Sequence, residues 1–337
     1  MADKHIHPDD LVGKTVDAHT HVGIDLRAFA QIGFPYCSSL EGLYYRMKCH
    51  NVDYAVVFPA LGAQLYFDLE TYLIEGVLKP AKRPLSGIPY EIENKILLKE
   101  IFEFCPELSK HFIPFVMVDP GRRVDEQIKV LRKLEEAFPI YGIKISPVGC
   151  QSRVTKLLEE GGAFLDFAKE HNWPILLHVT VNKDEKFSQA SDALEVARRN
   201  PKIRFCLAHS ICFHNKFLEI ADQLPNVWVD TAAIKIMTEL ALNNSPVAAP
   251  PSERVKCDYS DHRKVMKELV KRFPKTIIWG SDSPYYSYIV KRLEGEDFYF
   301  EFKLKGTYAD EKAALDSLSE VERAQINSNM IKFIFGR

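Results

Sequence analysis

Residues 174–199 read PILLHVTVNKDEKFSQASDALEVARR, a short apolar run followed by a segment with helical periodicity. The run is nearly continuous in aliphatic side chains, which is typical of a parallel strand that is covered on both faces. The same unit recurs along the chain, because comparable apolar runs are followed by longer amphipathic stretches. We count eight such runs, at 15–20, 53–59, 112–118, 141–146, 174–180, 203–209, 226–231 and 275–282.

Helical patterns occupy the stretches between these runs, most clearly at 123–138, 161–171, 189–199 and 262–273. Eight alternations of strand and helix predict an α/β fold, a (β/α)8 TIM barrel. The rival fold is a doubly wound open sheet, which should carry a glycine-rich phosphate-binding turn after an early strand. The chain contains neither GxGxxG nor GxxxxGK[ST], so we predict one barrel domain over residues 1–337.

Three stretches are longer than simple connections, namely 22–37, 60–90 and 232–261. All three follow a predicted strand and therefore lie on the strand-to-helix side, which carries the active site in barrels of this kind. We expect long loops here that cover the C-terminal mouth of the barrel.

Charge and composition give no reason to expect nucleic acid or a membrane as the partner of this chain. The net charge is −2, which gives no reason to expect nucleic acid, and no apolar run approaches the roughly 18 residues of a membrane span. The seven cysteines form no CxxC pair, and the N-terminus lacks the apolar core of a signal peptide. We expect a soluble, cytoplasmic protein that acts on a small molecule, and a homodimer is compatible with this composition.

Ionisable residues lie at the ends of several predicted strands. His19 and His21 end the first run and project to one side, because strand side chains alternate. His178, His209 and Asp282 end the fifth, sixth and eighth runs. In a barrel all five would converge on one mouth, where imidazoles and a carboxylate are ligands suited to zinc and similar divalent ions.

Each of these residues, taken alone, could have a purely structural role. A single histidine at a strand end is more often structural, and a second HxH pair at 5–7 follows no strand, so we interpret it as a solvated tail. Five ionisable groups at the same end of four strands are different, because burying them unpaired would be costly. We therefore favour a shared metal ion.

These motifs resemble those of the amidohydrolase superfamily, in particular the branch of metal-dependent TIM-barrel hydrolases that includes enzymes like aminocarboxymuconate-semialdehyde decarboxylase. The resemblance spans nearly the whole chain, and its motifs are specific for the superfamily but poor guides to substrate. The matching pieces are DAHTH at 17–21, GIKISP at 142–147, LLHV at 176–179, LAHS at 207–210, WGSDSP at 279–284 and the last helix at 322–336.

The resemblance implies a role for each matching position. His19, His21, His178 and Asp282 would hold one divalent ion, zinc in the first place and Mn²⁺ in the second. Asp282 would also contact water, and His209 would act on water or substrate, so these two are the predicted catalytic residues.

Lys144 decides how many metals we expect. In YGIKIS at 141–146 the alternation sends Lys144 into the barrel, where an unpaired charge is costly. In binuclear relatives a lysine on this strand is carboxylated and bridges two ions, with His209 binding the second one. The GxKxxP segment more closely resembles the mononuclear branch, so we predict one metal and an unmodified Lys144 that pairs with a carboxylate or orients substrate.

Each of the other candidate substrate-binding residues could instead have a role unrelated to substrate. Arg27 could bind a substrate carboxylate through paired hydrogen bonds, or it could be a surface arginine. His214 could reach substrate or lie in a solvated loop, and Tyr285 could line the pocket or pack against an eighth helix. We expect Asp17, on the same face as His19 but one step deeper, to play a structural part.

Three functions remain open from the sequence. The first is hydrolysis of an ester, lactone or amide by a metal-activated water, which we favour. The second is non-oxidative decarboxylation of an unsaturated or aromatic acid, which requires a cation such as Arg27 to bind the carboxylate. The third is a barrel that binds a metal or small molecule without catalysis. Substrate choice depends on the loops, and the metal-binding motifs do not separate the first two functions.

Overall fold

The computed structural model describes residues 5–31, 33–60, 65–293 and 299–336. Its strands are short, and those of the central sheet are almost wholly buried. In chain order they are β1 (Val16–Ile24), β2 (Gly33–Phe34), β3 (Cys37–Ser38), β4 (Tyr54–Pro59), β5 (Phe112–Met117), β6 (Gly142–Ile145), β7 (Ile175–Leu177), β8 (Phe205–Leu207), β9 (Val227–Asp230), β10 (Ile277–Ile278), β11 (Tyr288–Leu293) and β12 (Tyr299–Leu304).

Helices follow most of the strands of this sheet. In chain order they are α1 (Leu26–Ala30), α2 (Leu40–Cys49), α3 (Leu69–Glu75), α4 (Glu91–Lys99), α5 (Val124–Ala137), α6 (Pro147–Cys150), α7 (Gly162–Glu170), α8 (Ala190–Arg199), α9 (Asn215–Gln223), α10 (Ile234–Leu242), α11 (His262–Arg272), α12 (Tyr308–Asp316) and α13 (Glu320–Phe335).

The central sheet has nine strands in the order β10-β9-β8-β7-β6-β5-β4-β1-β3. Every neighbouring pair from β1 to β10 is parallel, and only β3 joins antiparallel, at the edge of β1. A second sheet of three antiparallel strands, β12-β11-β2, lies apart from it. The parallel strands thus follow one another in space in the same order as in the chain.

Side-chain alternation divides the core into two parts. In β7, Ile175 and Leu177 pack with the helices in the larger cluster, whereas Leu176 belongs to a second cluster enclosed by the strands. The strands β8 and β9 repeat the pattern, with Cys206 and Trp228 facing inward. Each face of the sheet thus carries an apolar cluster, and the contacts that join β1 to the segment after β10 make the face of the second cluster the inner one.

The two ends of the parallel series meet. The Ala18 amide donates to the Trp279 carbonyl over 3.0 Å, and the Asp282 amide donates to the His19 carbonyl over 2.9 Å. Thr20 and Ser283 form a parallel bridge. These contacts join β1 to the segment that follows β10, and they place His19 next to Asp282.

A β-bulge interrupts β1 at Ala18 and His19. Asp17 pairs with Ala55 and Thr20 pairs with Val57, so two residues of β1 face one residue of β4. Val16 and Ala18 face inward, and Asp17 faces outward, where it accepts a hydrogen bond from the Tyr308 hydroxyl of α12 over 2.9 Å. The extra residue then places His19 on the inner side as well, beside Lys144. Our expectation that Asp17 shares the face of His19 is therefore wrong, because simple alternation ignores the extra residue.

Most of the predicted elements are confirmed. Each of the eight apolar runs overlaps one of the parallel strands, and the four clearest helical patterns correspond to α5, α7, α8 and α11, with ends that agree to within one residue. The hairpin β11–β12 follows Tyr285 and separates it in the chain from α12 and α13.

The three long stretches are not simple loops. They contain α1 with β2 and β3, then α3, then α10. Within the described part of the chain, no helix is long and apolar enough to span a membrane.

Candidate metal centre

Three of the four predicted ligands meet at the end of the sheet where β1 and β10 join. The Nε2 atoms of His19 and His21 lie 3.3 and 3.5 Å from Oδ1 of Asp282. One ligand atom from each residue lies within 4.8 Å of the others, and all three side chains are buried. Such a group of two imidazoles and one carboxylate matches the donors that divalent transition metals prefer.

Hydrogen bonds fix which ring nitrogen of His19 and of His21 carries the proton. Nδ1 of His19 lies 2.9 Å from Oδ2 of Asp230, and Nδ1 of His21 lies 2.9 Å from the Pro59 carbonyl. Both partners are acceptors, so each Nδ1 carries the proton and each Nε2 keeps its lone pair. Metal-binding histidines usually show this arrangement, with the second ring nitrogen donating to a carboxylate or carbonyl.

The protonation states of these groups suit a cation. Burial lowers the pKa of His19 to about 4 and also lowers that of His21, so both rings are neutral at pH 7. The pKa of the Asp282 carboxyl lies below its usual range, although burial opposes this shift. Neutral imidazoles and an ionised carboxylate are the forms that bind metal, and the donor set therefore fits a divalent ion.

Asp230 at the end of β9 organises this centre without belonging to it. Besides His19, its carboxylate accepts hydrogen bonds from the backbone amides of His209 and Ala232, both over 3.0 Å. The sequence marks Asp230 only as a strand-end carboxylate. Its contacts show that it orients His19 and fixes the start of the segment that carries His209.

His178 lies beside the centre but outside the group of three. Its Nδ1 is 3.0 Å from Nε2 of His209, whose own Nδ1 is 3.1 Å from the Ala232 carbonyl. Because that carbonyl only accepts, His209 carries its proton on Nδ1, and Nε2 must accept from His178. The chain of hydrogen bonds therefore leaves Nε2 of His178 with a free lone pair.

His209 begins a segment with an unusual backbone. The five consecutive residues 209–213 have φ between 46° and 63°, in the left-handed region, although none is glycine. All five are buried, and their backbone turns sharply between β8 and α9. This turn places the His209 ring against His178 and 4.0 Å from Oδ2 of Asp282.

Lys144 faces the interior of the curled sheet, as the alternation predicts. Its Nζ lies 3.0 Å from Nε2 of His19 and 4.7 Å from the centre of the Phe58 ring. Burial lowers its pKa to about 8, opposed by the charges of Asp230 and Asp282. The amine therefore contacts a candidate ligand directly.

A cavity of about 460 Å³ opens over these residues. It reaches all of the predicted site residues on β1, β6 and the strand ends, together with Arg27 and Tyr285. The Tyr285 hydroxyl donates to Asp25 over 3.1 Å, and the Tyr285 ring meets the His21 ring edge-on at 5.0 Å. Tyr285 thus lines the cavity, as one of its two predicted roles requires.

Arg27 extends from α1 into the same cavity. Its guanidinium lies 5.5 Å from the centre of the Tyr72 ring, and its Nε is buried without a hydrogen-bond partner. Among the described residues it forms no ion pair. An unpaired cation in a cavity is a candidate binding group for an anion.

The structure does not bring His214 to the cavity. Nδ1 of His214 accepts from the Phe217 amide and so caps α9, while Nε2 lies 3.3 Å from Glu253. Its ring stacks on Phe217, at a separate surface depression. The sequence-based prediction that His214 binds substrate is corrected on this ground, because the left-handed turn carries the chain away from the mouth.

Several cavity residues were missed by the sequence analysis. The helix α10 contributes Ile236, Met237 and Leu240, and the three-stranded sheet contributes Phe34, Tyr288 and Leu304. The apolar periodicity of IKIMTELAL at 234–242 is the signal that could have identified α10. The sheet gives a weaker signal, because β2 has only two residues.

Comparison with known proteins agrees with this architecture. The family model described as amidohydrolase matches residues 97–327, which is more than half of the chain. No curated protein sequence matches the chain.

Solved structures resemble the fold along almost its whole length. An amidohydrolase from Burkholderia multivorans shares 11% identity at a TM-score of 0.62, over 96% of this chain and 99% of that one. A 2,6-dihydroxybenzoate decarboxylase from Rhizobium shares 12% at 0.56, over 94% and 98%. A putative 2-pyrone-4,6-dicarboxylic acid hydrolase from Pseudomonas putida shares 14% at 0.55, over 98% of each chain. At these identities the likeness concerns the fold.

Proposed function

The chain belongs to the amidohydrolase family, and we propose that it is a metal-dependent enzyme that hydrolyses an ester, lactone or amide bond of a small molecule. The observation that carries the proposal is that the unprotonated Nε2 atoms of His19 and His21 lie 3.3 and 3.5 Å from Oδ1 of Asp282, with the Lys144 amine 3.0 Å from Nε2 of His19. Each ring is locked in the required tautomer, by Asp230 and by the Pro59 carbonyl.

His19, His21, His178 and Asp282 would hold one divalent ion, with zinc as our first choice and Mn²⁺ as the second. Such an ion would supply a Lewis acid that lowers the pKa of a bound water to ~7. Lys144, an unmodified amine in this proposal, lies at Nε2 of His19 and can donate a hydrogen bond to an oxygen of the substrate.

Asp282 and His209 are the proposed catalytic residues. Asp282 is ionised and buried, so its carboxylate can accept the proton that an attacking water loses. The Nε2 atom of His209 is the acceptor in its contact with His178, and it can receive a proton from that ring or from a substrate group. Both residues line the cavity.

Decarboxylation is the second candidate, and Arg27 is the observation that favours it. A decarboxylase must bind the carboxylate of its substrate, and Arg27 lines the cavity with no ion pair to any residue that the structure describes. A hydrolase whose substrate carries a carboxylate needs the same cation. Arg27 therefore supports a carboxylic acid as substrate under either reaction, and the fold likeness includes both reaction types.

We infer that the curled sheet is the eight-stranded barrel of a (β/α)8 fold, and that residues 1–337 form one domain. Supporting this inference are eight parallel strands in chain order and the hydrogen bonds that join β1 to the segment after β10. In such a barrel the ends of the strands that bear the site residues form a single mouth.

The test is a substrate screen with zinc-loaded protein. Lactones, carboxylate esters and amides are assayed for acid release, and unsaturated and aromatic carboxylic acids are assayed for release of CO₂. Acid release without CO₂ supports hydrolysis, whereas CO₂ release supports the second candidate. His209→Ala should abolish turnover and keep the metal content, because His209 acts on water or substrate. Absence of turnover on both panels would contradict the proposal.

A further inference from the structure

The helix α10 begins without a side-chain cap of its own. Its N-cap residue is Ala233, which has a left-handed backbone, with φ of 58°, and lines the cavity. The first amides of a helix have no partner within the helix, and a serine, threonine, aspartate or asparagine at the N-cap usually accepts from them. The side chain of Ala233 offers no acceptor, so these amides need a partner from elsewhere.

Glu311 of α12 supplies that partner. Its Oε2 accepts from the Ile234 amide over 2.9 Å, and its Oε1 accepts from the Lys235 amide over 3.1 Å. The side chain is wholly buried, and in the part of the chain that the structure describes it forms no ion pair. Burying a carboxyl group without a cation is costly, and the positive end of the α10 dipole offsets part of that cost. Glu311 therefore holds the start of α10 from 76 positions further along the chain.

Contacts with the central sheet fix the place of Glu311 itself. The indole Nε1 of Trp279 donates to the Glu311 carbonyl over 3.1 Å, and the Tyr308 hydroxyl at the start of α12 donates to Asp17 over 2.9 Å. Trp279 follows β10 directly, and Asp17 belongs to β1. Glu311 is therefore held relative to β1 and to the segment that carries Asp282.

The start of α10 is continuous with the turn that orients His209. This turn follows β9, and Asp230 at its beginning accepts from the Ala232 amide over 3.0 Å. The Ala232 carbonyl in turn accepts from Nδ1 of His209 over 3.1 Å. Two residues later the chain enters α10, where Glu311 accepts from the first amides. The acceptor for His209 therefore lies between two carboxyl groups that each hold backbone amides of one continuous segment.

We propose that Glu311 is a positioning residue for His209: by holding the first two amides of α10, it fixes the Ala232 carbonyl that keeps the His209 proton on Nδ1. The inference rests on the proposed function, in which His209 acts through Nε2, and adds to it a residue outside the cavity. Without Glu311, the Ile234 and Lys235 amides would lose their acceptor, and the carbonyl just before them would shift as they turn toward other partners. The His209 ring would then lose its fixed orientation.

The experiment observes the His209 ring directly and needs no turnover. Zinc-loaded protein labelled with ¹⁵N in its histidines is examined by NMR, and the rate at which each Nδ1 proton exchanges with water is measured. His209→Ala assigns the His209 signal. The Nδ1 proton of His21 is the internal reference, because it is donated to the Pro59 carbonyl and not to the turn after β9.

Two variants of Glu311 grade the effect. Glu311→Leu removes both acceptors at similar volume, whereas Glu311→Gln keeps one of them. The leucine variant should exchange the His209 proton at least about tenfold faster than the wild type, which corresponds to the loss of a hydrogen bond, and the glutamine variant should lie in between. The His21 proton should keep its rate in both variants.

Glu322→Gln is the matched control. Glu322 also accepts from a backbone amide at the start of a helix, since its Oε2 lies 2.8 Å from the Ser319 amide before α13. It has no contact with the turn that orients His209, so this variant should change neither exchange rate.

The outcomes separate this inference from the proposed function. Melting temperatures show whether each variant is folded, and if Glu311→Leu does not fold, Glu311→Gln decides, with an expected acceleration of about two- to tenfold. An unchanged His209 rate in folded variants overturns the inference, and so does an equal acceleration of the His209 and His21 protons, which would show a general loss of stability. A faster His209 proton in an enzyme that turns over neither substrate panel supports the positioning role and contradicts the proposed reaction.

Discussion

Asp230 determines which nitrogen of His19 is available, and so a residue outside the candidate metal centre controls one of its ligands. Its Oδ2 accepts from Nδ1 of His19, and its Oδ1 holds two backbone amides. From the sequence, five ionisable residues could be placed at strand ends, and the resemblance to the amidohydrolase superfamily then implied His19, His21, His178 and Asp282 as the ligands. The role of Asp230 could not be derived, since it depends on distances between β1 and β9.

Asp230→Asn should weaken zinc binding by about 10- to 100-fold. The asparagine oxygen can still accept from the amides of His209 and Ala232, but its NH₂ group would face Nδ1 of His19 and favour the tautomer with a protonated Nε2. Competition with a chromophoric chelator measures the affinity. Asp222→Asn, which alters only a contact with Thr276 on the outer surface, is the control. Equal affinity in the Asp230→Asn variant and the wild type would contradict this assignment.

Asp17 makes the stability of the protein depend on pH. Burial raises its pKa from 3.8 to about 6, although Ser281, His19 and Tyr308 donate hydrogen bonds to it. Between pH 4 and 6 the folded chain keeps a proton that the unfolded chain has lost. The free energy of unfolding therefore falls as pH rises, by about 3 kcal/mol from this group, and the contribution is complete below pH 4.

Asp17→Asn should remove this part of the pH dependence. Urea unfolding of both proteins with a chelator present, at intervals from pH 4 to pH 6, gives the difference in free energy between them. The variant should gain stability relative to the wild type as the pH rises. Parallel curves for the two proteins would show that Asp17 does not titrate in this range.

At the scale of elements, the parallel strands and their helices could be predicted, because burial on both faces and helical periodicity leave direct patterns in residues such as 142–145 and 190–199. Three features left no such pattern. The bulge in β1 depends on pairing with β4, the hairpin β11–β12 depends on β2 from a distant part of the chain, and the left-handed turn at 209–213 contains no glycine. Tertiary contacts impose all three.

In the left-handed turn, glycine should stabilise the fold more than alanine, which is the reverse of their usual effect on the free energy of unfolding. In regular structure Ala is more stable than Gly by about 0.5–1 kcal/mol, but at positive φ a Cβ costs roughly 1–2 kcal/mol. Ser210, with φ of 51°, should therefore tolerate Gly better than Ala. The free energy of unfolding of Ser210→Gly should exceed that of Ser210→Ala by about 1 kcal/mol. As a control in the helix α7, Ala163→Gly should be less stable than the wild type. If Ser210→Ala is likewise more stable than Ser210→Gly, the backbone at 210 is not strained.

At the scale of the whole molecule, the fold brings together residues that are far apart in the chain. His19 and Asp282 are 263 positions apart, yet their backbones are hydrogen-bonded where β1 meets the segment after β10. The sequence predicted that the strand ends converge, since parallel strands that follow one another share an edge. It did not predict that α10 and the three-stranded sheet line the cavity, because α10 and β2 lie in the stretches 232–261 and 22–37, where we expected loops.

Metal stoichiometry tests the central claim most directly. Metal-stripped protein titrated with zinc, and analysed for bound metal after gel filtration, should hold close to one equivalent per chain. Lys144→Ala should keep that equivalent, and His21→Ala should lose it. Two equivalents in the wild type, loss of the metal in Lys144→Ala, or one equivalent retained in His21→Ala would contradict a single centre held by His19, His21, His178 and Asp282.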